Sequence, residues 1–234
     1  TRRGMQDFTL KDAPEVQVAI RRSSRARRIS LRVSSLDGRV TLTLPQGTPE
    51  RVGRAFAEEK ARWLREAVGK IVAPVPVVIG AMVPFADQPR LVVTGKGRAA
   101  RLNDNTIQAP PGREGPAIEA LLKKLARDHL VSAVDRYSSQ LGKRAGRINL
   151  RDTRSRWGSC SSDGNLMFSW RLVMAPAPVL DYVAAHEVAH LRHMDHSPAF
   201  WSTVEELFPN HRAERDWLRQ DGSTLHRYRF RATD

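Results

Sequence analysis

Cysteine is almost absent from this chain. Its single thiol, Cys160, excludes an internal disulfide and suits a reducing compartment. Long apolar runs are missing too. None approaches the ~20 residues that cross a bilayer, so no membrane partner is expected. The opening TRRGMQDFTL lacks the apolar centre of a secretory signal. Together these absences point to a cytoplasmic protein. Acidic charge is in deficit, with 39 Lys+Arg against 25 Asp+Glu and a formal net charge of +14. Such a balance suits a polyanionic partner. Lysine is scarce, however, and alanine abundant, so the arginine excess also fits a coding bias. The densest basic run, RRSSRARR (21–28), has no interleaved aromatic and offers no base-stacking platform. A solvated strand flank is its simpler reading. A nucleic-acid contact through a basic N-terminal surface is the alternative.

Hydrophobic residues make up 41% of the 234 residues, enough to bury a substantial core. ISLRVSSLDGRVTLTLP (29–45) alternates apolar and polar residues on both sides of Asp37-Gly38, a hairpin signal. TPERVGRAFAEEKARWLREAVGK (48–70) reads as an amphipathic helix with Thr48 as N-cap, Pro49 first in the helix, and Val52, Phe56, Trp63 and Val68 facing inward. Residues 71–111 hold short β-like runs broken by Pro and Gly. A second helix is expected over 116–141, with Ile118, Leu121, Leu122, Leu125, Leu130 and Val134 as its core stripe. GRINLRDTRSRWGSC (146–160) and LMFSWRLVMA (166–175) read as a second hairpin, and PAPVLDYVAAHEVAHLRH (176–193) as a helix. Two shorter helices follow. The Gly/Pro-rich stretch 110–116 is the best boundary. It separates a β-rich N-terminal region, 1–112, from a second domain, 113–234.

The chemistry concentrates in HEVAHLRHMDH (186–196). On a helix, residues i and i+4 share a face, so His186 and His190 can reach one ion. Glu187 stands beside that face. This is the H-E-x-x-H pattern of two zinc ligands and a general base. The short pattern also occurs by chance, but its helix is largely apolar, and buried imidazoles and carboxylates need partners. For a third ligand, His193 is poorly placed, being ~10 Å along the axis from His186 if the helix continues. His196 fits better if the helix stops near His193, with His193 tolerating a left-handed turn. Glu205 and Glu206 are rival carboxylates. His211 reads as a surface or capping residue, and His226 and Tyr228 as ordinary surface residues, with oxyanion stabilisation the alternative. Gly158 in RWGSCSS permits a tight turn, with Trp157 as anchor. Asp152, Arg154 and Arg156 alternate as an ion-pair ladder would. One edge of LMFSWRLVM could pair with an extended peptide.

The stretch RDTRSRWGSCSSDGNLMFSWRLVMAP, followed by VLDYVAAHEVAHLRHMDHSPAFW, resembles the YgjP-like metallopeptidase family, which is related to the SprT-like zinc proteases. The arginine-rich N-terminal hairpin and LPQGT before a helix extend the likeness over nearly the whole chain. The resemblance implies an α+β fold, with a zincin-like catalytic half whose H-E-x-x-H helix packs on a small sheet. It also implies Zn2+ held by His186, His190 and His196, with Glu187 as catalytic acid/base. The expected substrate is a peptide or unfolded protein. A hydrolase of nucleotides or other phosphates is a second reading, weakened by the lack of a P-loop. A nucleic-acid-associated module with structural zinc is a third.

Overall fold

The computed structural model describes residues 7–34, 37–69 and 73–231. Residues 1–6 of the N-terminal stretch and residues 35–36 of the expected hairpin turn lie outside the described residues. The chain forms two compact units, Thr1–Ala73 and Pro74–Asp234. The division is not at 110–116. The strands between 82 and 109 share one apolar core with the long helix that follows, through Val83, Val92, Ile107, Ile118 and Leu122. A Gly/Pro-rich connection there is a turn inside a domain.

The first unit contains β1 (Asp7–Thr9), β2 (Gln17–Ser23), β3 (Ser30–Val33), β4 (Val40–Pro45), α1 (Glu50–Glu59) and α2 (Ala61–Gly69). The strands lie in the order β1-β2-β4-β3. The expected β3–β4 hairpin forms, antiparallel, with Ser30 opposite Thr43. Val18, Ile20, Leu42 and Leu44 enter the core with Ala57, Ala61 and Leu64 of the helices. The helical stretch differs from expectation in three ways. It breaks at Lys60, Pro49 occupies the N-cap position, and the inward face carries Gly53, Ala57, Ala61 and Leu64. Val52 and Trp63 are exposed. Close approach explains the swap. A Cβ on Gly53 would lie 2.6 Å from Leu44 Cδ2, so only a small face fits against β4.

The second unit is a mixed α+β assembly. It begins with β5 (Val75–Pro76), β6 (Met82–Phe85), β7 (Gln88–Thr94), β8 (Arg101–Leu102) and β9 (Thr106–Ala109). The last four form a sheet in the order β6-β7-β9-β8. Next comes α3 (Glu114–Leu141), which stops at Gly142 in a left-handed conformation, φ 67°. Then follow β10 (Ile148–Arg151), β11 (Gly158–Cys160), β12 (Leu166–Ser169), a buried 3-10 turn (Trp170–Met174), α4 (Ala177–Ala189), α5 (Pro198–Leu207) and α6 (Arg212–Gln220). A second 3-10 turn (Gly222–Arg227) leads to β13 (Tyr228–Arg229), which pairs with β5.

The sheet beneath the candidate site has the order β10-β12-β11. The β11–β12 hairpin forms as expected, but β10 is parallel to β12. β12 is therefore the central strand, hydrogen-bonded on both sides, and has no edge for a peptide. The edge next to α4 belongs to β11. β12 also ends earlier than expected. All five residues Trp170–Met174 are buried, which the face alternation of a strand would not easily allow. Helix α4 is buried nearly all round, including Val183, Ala184, Ala185, Val188 and Ala189, and it is too apolar to be a surface helix.

Candidate metal centre

Helix α4 ends at Ala189, earlier than the pattern suggested. The chain tightens at that point. Leu191 N donates to Val188 O at 2.9 Å, and Arg192 N to Ala189 O at 3.0 Å. His193 takes no left-handed conformation, because these short-range bonds already turn the chain. Its carbonyl has another task. His190 Nδ1 lies 2.9 Å from His193 O, so Nδ1 carries the proton and Nε2 keeps its lone pair. The loop returns through Asp195, whose Oδ1 accepts from Ser197 N at 3.3 Å. Ser197 then caps α5, accepting from Phe200 N at 3.4 Å. This turn and cap bring His196 back over α4.

His186, His190 and His196 thus meet. One ligand nitrogen from each lies within 4.8 Å of the other two. His186 Nε2 and His196 Nε2 are 3.2 Å apart. Two nitrogens of a tetrahedral zinc site, each ~2.0–2.1 Å from the ion, would be about 3.3 Å apart, so this pair fits the edge of such a tetrahedron. Electrostatics agrees. Burial, then the neighbouring His190 and His196, pushes His186 down to about 3. Burial also lowers His190. Both rings are neutral at pH 7, the form that ligates a metal. The donor set therefore fits a divalent ion that accepts imidazole.

Phe200 is fully buried at the centre of the histidine rings. Its centroid is 4.4 Å from His190, 4.8 Å from His196 and 4.9 Å from His186. Trp201 lies 5.7 Å from His186 and 5.8 Å from His196. The sequence reading missed both. Their signal is the N-cap Ser197-Pro198 directly after His196, which aims the first turn of α5 at the site. His211 is also no surface residue. It is buried and stacked 5.6 Å from both Tyr182 and Trp201, with Nδ1 2.9 Å from Glu205 Oε2. Glu205 is thereby engaged, and Glu206 faces Arg192 at 3.6 Å. Neither rival carboxylate belongs to the histidine cluster.

Glu187 is buried, and burial pushes its carboxyl up to about 8 against the pull of Arg156. It lies against β11. A Cβ on Gly158 would stand 2.6 Å from Glu187 Cγ and 2.8 Å from Cδ. The glycine in RWGSC is thus needed for space, not for a turn: it has no positive φ. Cys160, on the same strand, is an inert thiol, raised to about 11 by burial and by Glu187.

Behind β11, Trp157 packs on His226 with centroids 5.3 Å apart. His226 is buried, so its reading as a surface residue fails; Tyr228 is half-buried in β13. The expected ladder of Asp152, Arg154 and Arg156 does not form, because the strand ends at Arg151. Asp152 instead holds buried Arg171 through Nε–Oδ1 at 2.7 Å and Nη2–Oδ2 at 2.9 Å. Arg171 Nη1 also donates to Leu225 O at 2.9 Å and Tyr228 O at 3.1 Å. That knot ties the C-terminal segment to the 3-10 turn after β12 and to the residue following β10.

Two imidazoles one helical turn apart, a third returned by the next loop and a buried carboxyl on the same helix define a metal-site protein of mixed α+β fold. The chain belongs to the YgjP-like metallopeptidase family: residues 27–221 match its metallopeptidase domain. At family level this is a metal-dependent peptidase. Among solved structures, the crystal structure of the metallopeptidase zymogen of Pyrococcus abyssi abylysin is 24% identical, with a TM-score of 0.33, over 41% of this chain and 94% of that one. No curated protein matches the chain.

Proposed function

We propose that this chain is a zinc-dependent peptidase acting on peptides or unfolded proteins, with His186, His190 and His196 as ligands and Glu187 as general base and acid. The observation that carries this reading is the convergence of three imidazoles, two of them at 3.2 Å between Nε2 atoms, beside a buried carboxyl. Zinc suits three neutral nitrogen donors. When bound, such an ion supplies an open position that acidifies water to a pKa of about 7 and polarises a carbonyl. The protein residues supply the rest. His193 O fixes the tautomer of His190, and Phe200 and Trp201 hold the rings in place. Glu187, protonated by burial in the absence of a cation, would be held as the carboxylate by a bound divalent ion nearby, and in that form would take a proton from water and return it to the leaving amine. β11 is an edge strand beside Glu187, suited to pair with an extended substrate. A cytoplasmic setting fits the unpaired Cys160 thiol.

The test is Glu187→Gln, assayed for metal content and for cleavage of an unstructured protein such as reduced, alkylated casein. The expected result is a full complement of metal and a loss of hydrolysis on the order of 10²–10⁴-fold. Undiminished cleavage, or loss of the metal, contradicts the role given to Glu187. Hydrolysis of nucleotides by a wild-type enzyme that leaves every peptide intact would replace the reading with a phosphate hydrolase.

A further inference from the structure

We infer that the solvent face of the β1–β4 sheet, together with the turn after β2, docks the phosphate backbone of a double-stranded nucleic acid. Register places the groups. Arg21 is opposite Thr43, which is opposite Ser30; Thr41 is opposite Arg32. Val18, Ile20, Leu42 and Leu44 occupy the core side of the same strands. Arg21 and Arg32 therefore project from the other face, with Thr41, Thr43 and Ser30 between them. The connection from β2 to β3 adds Arg25, Arg27 and Arg28, all exposed. Arg22 points the other way and is occupied, donating to Gln46 O at 3.2 Å and Thr48 O at 2.8 Å.

Three of the four arginines on the helices are paired: Arg54 with Glu50 at 2.6 Å, Arg62 with Glu66 at 3.1 Å and Arg65 with Glu15 at 2.8 Å, whereas exposed Arg51 forms no ion pair among the described residues. Among the described residues, Arg21, Arg25, Arg27, Arg28 and Arg32 form no ion pair with a carboxylate. An acid on the sheet, Asp7, pairs in register with Ala19 on β1, at the opposite edge. That is three strand spacings from Arg32, roughly 14 Å, and one strand and two residues from Arg21, roughly 8 Å, beyond ion-pair contact. An unneutralised group of guanidinium forks is a receptor for phosphate oxygens, which they meet bidentately. Arg21 and Arg32 are two strands and two residues apart, roughly 12 Å, too far to share one phosphate. The ligand must therefore present several.

The remaining chemistry selects among polyanions. Between the arginines the face offers hydroxyls and no large apolar side chain, so nothing on it would insert into a bilayer. No aromatic lies on it, whereas readers of single strands stack bases on aromatic rings. A duplex, whose outer surface is phosphate, matches what is present. Binding should be weak in sequence preference and steep in salt dependence.

The experiment uses the full metal-loaded chain and a short fluorescent DNA duplex, titrated by anisotropy at several salt concentrations. The wild type should bind at low salt, with log K falling by about 0.9 per contacted phosphate for each unit of log salt. Replacing Arg21, Arg25, Arg27, Arg28 and Arg32 together by glutamine should weaken binding at least tenfold and flatten the slope. The same five positions as lysine should keep most of the slope. Single Arg21→Gln and Arg32→Gln variants should each reduce it by about one, which keeps the test open if the fivefold variant does not fold. Glu187→Gln should bind duplex like the wild type, so failure of the peptidase reading and failure of this one are separable. Absence of duplex binding at low salt overturns the inference. So does unchanged binding by the glutamine variants, or binding to phosphatidylserine vesicles or a single strand in preference to duplex.

Discussion

Glu187 and Gly158 form a pair in which each explains the other. The carboxyl is buried beside a strand, and the strand can approach only because residue 158 has no side chain. Gly158→Ala should therefore push Glu187 out of position while leaving the imidazoles in place. Under the role proposed for Glu187, a displacement of about 1 Å can lose on the order of 10²-fold in rate, so kcat should fall by that order with metal content unchanged. Parallel measurements of activity and metal stoichiometry check this, and full activity in the variant would refute the close-packing argument. Asp152 makes a second prediction at this scale. Burial tends to raise its carboxyl, but the hydrogen bonds and charge of Arg171 outweigh that and hold it below the usual carboxylate range. A depressed carboxyl contributes stability above its unfolded pKa of about 3.9, and that contribution is lost as pH falls through the lower folded value. Asp152→Asn should cost on the order of 2 kcal/mol at pH 7, since Arg171 keeps its carbonyl acceptors and solvent reaches the aspartate. Denaturation curves of the two proteins should converge at acid pH. A gap that is constant down to pH 2 would contradict the pairing.

Secondary-structure elements divide by how much of their environment their own sequence encodes. Helix α4 was legible because the i, i+4 histidines and a continuous apolar background are local signals. The β3–β4 hairpin and α3 were legible for the same reason. The inward face of α1 was not. Apolarity favoured Val52 and Trp63, whereas the distance to β4 selects Gly53 and Ala57. The neighbourhood of β12 was also hidden, because parallel pairing with β10 is a long-range choice that alternation cannot report. Helix α5 shows what such a reading misses in a metal site: Phe200 touches all three imidazoles, and only the fold brings it there. Phe200→Leu should keep most of the core volume yet loosen the rings. Supporting groups of this kind typically change metal affinity by about 10–100-fold, so competition with a chromophoric chelator should reveal a weakening in that range. Unchanged affinity would reduce Phe200 to an ordinary core residue.

At the scale of the whole molecule, the two units have separate apolar cores, one built on Val18, Leu42 and Leu64 and the other on α3, α4 and the strands around them. Composition gave the size of these cores but not the boundary, because the Gly/Pro-rich stretch at 110–116 resembles a linker and is a turn inside the second unit. Separate cores predict two calorimetric transitions. A ligand stabilises only the structure that binds it, so chelation should lower the transition of the unit that holds the histidines and leave the other in place. A single transition that moves as a whole on chelation would contradict that independence. The charge of the chain also acts at this scale. In the first unit, three of the four helical arginines are ion-paired, whereas among the described residues Arg21 and Arg32 on the sheet pair with no carboxylate.

The central claim is that three imidazoles, from α4 and the loop after it, hold one metal ion. Zinc K-edge X-ray absorption on the purified protein and on His196→Ala tests it most directly. The wild type should give three imidazole nitrogens and one lighter ligand at about 2.0–2.1 Å, and the variant one imidazole fewer. A spectrum unchanged by removing His196, or one dominated by carboxylate oxygen, would contradict the claim.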